Sequence, residues 1–282
     1  MTLTKRALCA SLLLLGSTAF AAVPAPVKST RVYVFDCGSI EVKDISVFSP
    51  GVDVGKKKML TDSCYLVVHP KGTLMWDTGF PDDFASMPEG KQVSENFHVR
   101  LKKPLSAQLQ GVGYAPGDIQ YLGLSHMHFD HIGNVGLFPK ATLLMQKEEY
   151  ASAFGPDAAK SGNDQKNYPT LAANPNEQLD GDRDVFGDGS VVIKRALGHT
   201  PGHQLLFVKL KKSGNIVISG DLAHFTKNWE NRRVPSFNFD KELSVKTMNE
   251  MADFMKANKA KLWIQHDLEQ NRAIKHAPKY YE

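Results

Sequence analysis

The stretch Ser125-His126-Met127-His128-Phe129-Asp130-His131 places three imidazoles and a carboxylate in six consecutive residues. Imidazole nitrogen and carboxylate oxygen suit Zn²⁺ and similar divalent ions. A catalytic site needs several such ligands converging while one coordination position stays open to water. From an extended segment or loop, His126 and His128 can point the same way, and Asp130 and His131 can reach a second ion alongside. Two divalent cations, with Zn²⁺ the expected metal, are therefore the cofactor this stretch predicts. A polar loop whose histidines only hydrogen-bond or face solvent is the plainer alternative. Ser219-Gly220-Asp221 ends another apolar run, where a carboxylate is well placed to bridge two ions about 3.5–4 Å apart, an ordinary turn carboxylate being the alternative.

The elements that must position these groups show as short apolar runs. Residues 121–124 read as a strand that delivers the histidine stretch at its end. Residues 31–35 alternate and are β-rich, and residues 64–69 form a similar run. The turn Pro70-Lys71-Gly72 joins that run to residues 73–76 as a hairpin. Asp77-Thr78-Gly79 then ends the strand in a turn. Residues 80–113 are mixed and loop-rich, with Phe84, Met87 and Phe97 either covering a pocket or packing in the ordinary way, and 106–109 looks helical. The pattern further predicts a helix beginning over 132–138, a strand over 141–145 and a helix over 147–154. Residues 155–189, rich in Asn, Asp, Gly and Pro, read as a long loop, with room for short helical turns, inserted within one domain. Strands resume at 190–193, 205–208 and 216–218, followed by an amphipathic helix over 243–258 and a last strand at 262–264. Clustered short strands with interspersed helices imply an α/β arrangement of two packed sheets with helices outside.

The chain's 282 residues can bury a large core, and 42% apolar with 23% charged residues is ordinary for a soluble globular protein. The net charge of +4 is scattered. Lys56-Lys57-Lys58 and Arg232-Arg233 lack interleaved aromatics, so no nucleic-acid partner is expected. Lys5-Arg6, an apolar run over 7–15 and Ala19-Phe20-Ala21 read as a secretory signal peptide over 1–22, leaving 23–282 as a single exported, periplasmic domain. The run falls short of the roughly 20 residues needed to span a bilayer, so no stable membrane anchor is expected. Cys37 and Cys64 remain after removal of the leader. In an oxidising compartment they can form a disulfide, and two buried free thiols are the equal alternative.

The His-x-His-x-Asp-His stretch resembles the metallo-β-lactamase superfamily. The resemblance implies a four-layer αβ/βα sandwich with metals at the strand ends. Within Gly198-His199-Thr200-Pro201-Gly202-His203 it selects His199 as a ligand and leaves His203 structural or orienting. It gives His266 the last ligand slot and sets Asp77 beneath the metals, although turn chemistry alone also explains that aspartate. It leaves His69, His98 and His276 outside the site. The implied set is His126, His128 and His199 on one ion, Asp130, His131 and His266 on the other, and Asp221 between them. The run 198–204, Phe225-Thr226-Lys227-Asn228-Trp229-Glu230 after Asp221, Val234-Pro235, Phe239-Asp240 and His266-Asp267-Leu268-Glu269-Gln270 are most similar to the N-acyl-homoserine lactonases. The resemblance thus implies a small-molecule lactone as substrate, with hydroxide generated at the metal pair and Asp130 relaying a proton to the leaving alkoxide. A β-lactamase or another ester or thioester hydrolase of the same fold is the alternative, and a homodimer is one assembly open to the chain. One position departs from that pattern. Those lactonases commonly carry a tyrosine three residues after the bridging aspartate, contacting the lactone carbonyl; here His224 stands there, able to donate a similar hydrogen bond.

Overall fold

A computed structural model describes residues 26–161 and 163–282. The leader over 1–22 lies outside the described residues. The first sheet is organised on two long strands, β1 (Arg31–Val42) and β2 (Lys58–His69). They run antiparallel from Arg31↔Val68 to Val42↔Lys58, with a bulge between Asp36 and Gly38. The expected hairpin joins β2 to β3 (Gly72–Trp76), with His69 opposite Gly72. Beyond β1 lie β4 (Lys91–Gln92) and β5 (Phe97–Arg100). On the other side of β3, the strands β6 (Tyr121–Gly123), β7 (Thr142–Gln146) and β8 (Asn176–Leu179) continue the sheet in parallel. Parallel neighbours require crossovers. Helix α1 (Leu105–Gly111) lies in the β3–β6 connection and α2 (Lys147–Phe154) in the β7–β8 connection.

The second sheet contains β9 (Arg183–Asp184), β10 (Val191–Arg195), β11 (Gln204–Val208), β12 (Ile216–Ile218) and β13 (Lys261–Trp263) in sequence order. Helices α3 (Thr226–Asn231) and α4 (Lys241–Ala257) lie between the parallel pair β12 and β13. Asp240 caps α4 by accepting a hydrogen bond from Leu243 N at 2.8 Å. Helix α5 (Leu268–Ala273) and β14 (Tyr280–Tyr281), which pairs with β1, complete the described chain.

Side-chain alternation along the strands creates the layers. Val32, Val34, Val67 and Trp76 face Val191, Ile193, Leu206 and Ile218 of the second sheet. Tyr33, Phe35, Leu66 and Met75 point the other way, onto Leu105 and Leu109 of α1 and Ala153 of α2. Leu205, Phe207 and Val217 on the outer face of the second sheet meet Met248, Met251 and Met255 of α4. The result is the four-layer sandwich of helix, sheet, sheet and helix. Because both faces of β2 are covered, its residues from Leu60 to His69 are buried without a polar face.

Two sequence expectations are corrected. The segment 132–138 forms turns and a single 3₁₀ turn at Val135–Leu137 rather than the start of a helix. Asn134 is occupied in bonding the carbonyls of Thr78 and Phe80 at 2.8 and 2.7 Å, and Gly133 packs so tightly that a Cβ would lie 2.3 Å from Pro81 N. The stretch 155–189 is not all loop, since it contains β8 and β9. Leu179 is the one buried residue of β8, an edge strand, so alternation could not reveal it.

Candidate metal centre

The loops after β3, β6, β12 and β13, and the loop joining β10 to β11, meet at one end of the sandwich. Two groups of potential ligands lie there. In each, the donor atoms fall within 4.8 Å of one another: His126, His128, His199 and Asp221 in one, Asp130, His131 and His266 in the other. All seven residues singled out as ligands in the sequence are thus brought together. His128 Nδ1 lies 2.9 Å from His126 Nε2 and 3.1 Å from His199 Nε2. On the other side, His131 Nε2 and His266 Nε2 are 3.3 Å apart.

Asp221 faces both groups with different oxygens. Its Oδ2 is 3.1 Å from His199 Nε2 and 3.6 Å from His126 Nε2, while its Oδ1 is 2.9 Å from His266 Nε2 and 3.3 Å from His131 Nε2. Oδ1 is buried yet has no aligned hydrogen bond. Asp130 reaches His131 and His266 at 3.8 Å each.

Buried acceptors fix which nitrogen of several rings faces inward. His131 Nδ1 donates to Asp77 Oδ2 at 2.9 Å, His266 Nδ1 to the Thr61 carbonyl at 2.8 Å, and His199 Nδ1 to Asn238 Oδ1 at 2.9 Å. Each Nε2 is thereby turned toward the centre, the usual support of a metal-binding imidazole. Asp77 does lie beneath the site. It has a left-handed backbone with φ 55°, and its carboxylate also accepts from Ser125 N, Ser125 Oγ and Gln265 Nε2 at 2.6, 2.8 and 2.8 Å. Such a bond set holds a backbone that a non-glycine residue seldom adopts.

The electrostatics differ between the groups. Burial, followed by the neighbouring imidazoles, holds His126 and His128 well below the ordinary histidine range, so both are neutral with lone pairs available. Burial is the largest influence on His131 and His266 and opposes their charge, but the carboxylates together outweigh it: Asp221, Asp77 and Asp130 raise His131 well above that range, and Asp221 and Asp130 raise His266 to about 9. For Asp221, burial is outweighed by His224 and His266, and its carboxyl is held well below the usual carboxylate range. This arrangement selects positive charge between the carboxylates, whether carried by protons or by a cation. Nitrogen and oxygen donors converging in two groups, with an unbonded carboxylate oxygen between them, fit a pair of divalent ions.

His203 lies behind the centre. Its Nδ1 donates to the Ala196 carbonyl at 2.8 Å and its Nε2 accepts from Asp221 N at 2.9 Å, so it orients the bridging residue. His224 Nε2 is 3.0 Å from Asp221 Oδ2, while its buried Nδ1 has no partner and its ring packs on Phe48 with centroids 4.3 Å apart. His69 pairs with Asp188 at 2.9 Å and His276 with Asn271 at 3.1 Å; neither they nor His98 join the ligand groups.

Sequence reasoning missed Gln265, Asn238 and Glu149. Glu149 is buried in the first turn of α2 and accepts from Met127 N, Thr200 Oγ1 and Gly202 N at 2.9, 2.7 and 2.9 Å, tying the two histidine loops together. No spacing rule marks such a residue. The adjacency of Gln265 to His266 was the one available signal for Gln265.

A cleft of about 210 Å³ opens over the centre. His128, Asp130, Asp221, His224 and His266 form its polar end, and Ile40, Phe48, Leu60, Phe97, Phe129 and Phe237 its apolar walls. Phe97 therefore covers the cleft, whereas Phe84 packs in the apolar cluster beside it. Among the described residues, no helix is long and apolar enough to cross a membrane.

A family model described as the metallo-beta-lactamase superfamily matches residues 60–255. An N-acyl homoserine lactonase AttM of Azorhizobium caulinodans is 30% identical over 260 residues, covering 89% of this chain and 98% of the relative. The N-acyl homoserine lactonase AiiA of Bacillus thuringiensis subsp. kurstaki is 28% identical over 265 residues, with the same coverage of both chains. Among solved structures, an N-acyl homoserine lactone hydrolase with N-hexanoyl-L-homoserine bound at its catalytic metal centre superimposes with a TM-score of 0.77. That match has 27% identity and covers 90% of this chain and all of the other.

Proposed function

The chain belongs to the metallo-beta-lactamase superfamily, and from that premise we propose that it opens the lactone ring of N-acyl-homoserine lactones by hydrolysis at a pair of cations, with Zn²⁺ as the metal. The observation that carries the reading is Asp221, with Oδ2 toward one ligand group and Oδ1 toward the other. When bound, the two ions supply an acidified water and a Lewis acid for the lactone carbonyl. His126, His128 and His199 would hold one, and Asp130, His131 and His266 the other.

The chain's own groups divide the remaining work. The aromatic and aliphatic walls of the cleft take the acyl chain and exclude water, placing the ring at the polar end. His224 lines the polar end of the cleft where the resembled enzymes carry a tyrosine, and its Nε2–H, now directed at Asp221 Oδ2, would be the donor to the lactone carbonyl once that contact is given up. Asp130, 7% exposed and lining the cleft, can hold a proton and pass it to the alkoxide released from the ring. The products would be N-acyl-homoserines, the chemical class bound in the neighbouring solved structure. The leader and the Cys37–Cys64 disulfide support export to an oxidising compartment such as the periplasm.

Purified, metal-loaded protein assayed on lactone, β-lactam and thioester substrates tests this reading. Acyl-homoserine lactones should have the highest kcat/KM. A β-lactam or thioester turned over faster than every lactone would overturn the substrate assignment.

A further inference from the structure

Asp62 has no part in the ligand set, yet it is 0% exposed and neither carboxylate oxygen has a hydrogen-bond partner. Placing such a group in a protein interior is costly unless an opposite charge stabilises it. Its position in β2 indicates where that charge lies. The preceding carbonyl, of Thr61, accepts from His266 Nδ1 at 2.8 Å, and the following one, of Ser63, accepts from Gln265 Nε2 at 2.8 Å. Asp62 therefore sits between the two backbone groups that hold the loop carrying His266.

Alternation puts its side chain on the face of β2 shared with Leu60, which lines the cleft, and Cys64, which is bonded to Cys37. The residue opposite is Gly38, which offers no side chain to bond it. Burial pushes the carboxyl well above the usual range. The imidazoles of His266 and then His131 pull it back, while Asp130 and Asp77 act in the same sense as burial. Both attractive groups belong to the Asp130–His131–His266 cluster.

We propose that Asp62 is a non-coordinating counter-charge for the second cation position: a positioning residue whose carboxylate strengthens cation binding at Asp130, His131 and His266 without touching the ion. This role rests on the two-ion reading above. In the metal-free chain Asp62 is a buried polar group without a partner, so it trades stability of the empty site for affinity of the filled one.

The test is a zinc-binding titration against a competing chelator, paired with thermal unfolding of metal-free and loaded protein, for the wild type, Asp62→Asn and Asp62→Val. Asparagine keeps the shape and removes the charge; valine removes the polar group as well and guards against a variant that folds poorly. The expected result is a loss of about 10-fold or more in affinity for one of the two equivalents, as for other groups that act behind metal ligands. The other equivalent should change by less than about 3-fold, and the metal-free midpoint should be equal to or above that of the wild type. Unchanged affinity for both equivalents, an equal loss at both, or a lowered metal-free midpoint in both variants overturns the role. A wild type that binds two ions while the variants behave in one of those ways rejects Asp62 alone. A wild type that binds fewer than two ions rejects the two-ion reading and this role with it.

Discussion

His224, Asp77 and His203 meet the centre through different contacts, on the Asp221 carboxylate, the His131 ring and the Asp221 backbone, and their replacement should have different effects. If His224 donates to the lactone carbonyl, His224→Ala should lower kcat on the order of 10²-fold, the lower end of what a lost oxyanion donor costs. Metal content should be unaffected, and His224→Tyr should recover much of the rate. An unchanged kcat in the alanine variant would remove His224 from the reaction. Asp77→Asn breaks the acceptor that orients His131, and zinc affinity measured by chelator competition should weaken by about 10–100-fold. His203 governs a pH effect. Burial, and then the neighbouring His199, lowers its value from 6.5 to about 3, so the folded chain keeps this ring neutral. The unfolded chain binds the proton below about pH 6.5 and the folded chain does not until about pH 3. The contribution is therefore fully present above 6.5 and falls as pH drops toward 3, by at most about 1.4 kcal/mol per unit. Urea midpoints of the wild type should decline more steeply with acidity than those of His203→Gln.

At the scale of elements, the site depends on a support that runs through β1, β2 and the turn after β3. Cys37 and Cys64 form a disulfide with 27 residues of separation, resolving the alternative that the sequence left open. Gly79 lies against it with φ +63°, and a Cβ there would sit 2.4 Å from Cys37 Cβ. Gly79 also accepts from Gly133 N at 2.7 Å, so this close approach helps to seat the histidine loop. The Cys37→Ala/Cys64→Ala double variant should lose about 3.5 kcal/mol of stability by the loop-closure argument, and reductant should then have no further effect on its unfolding. The strands that carry ligands were legible because each is a short β-rich run ending in a polar turn. The 132–138 segment was misread because apolar Ile132, Val135 and Phe138 mimic a helical stripe, whereas Asn134 and Gly133 serve the Thr78–Pro81 loop. The polar edge strand β8 left no pattern to find. Of the candidate ligands, His126, His128, Asp130, His131 and Asp221 were legible because imidazoles and carboxylates at strand ends are chemically conspicuous, whereas His199 and His266 were legible only through the family resemblance. Glu149, Asn238 and Asp62 were not, since each acts through a partner distant in sequence.

For the molecule as a whole, the centre joins loops from both sheets, so ion binding should couple to global stability. Loaded protein should unfold at a higher temperature than chelated protein, by an amount that grows with free metal concentration as mass action requires. The most direct test of the account is the rate of N-acyl-homoserine lactone ring opening as metal-free protein is titrated with Zn²⁺. Turnover should be negligible without metal and rise until two equivalents per chain are bound, with Asp221→Ala inactive throughout. Ring opening by the metal-free chain at the rate of the loaded one would contradict the account.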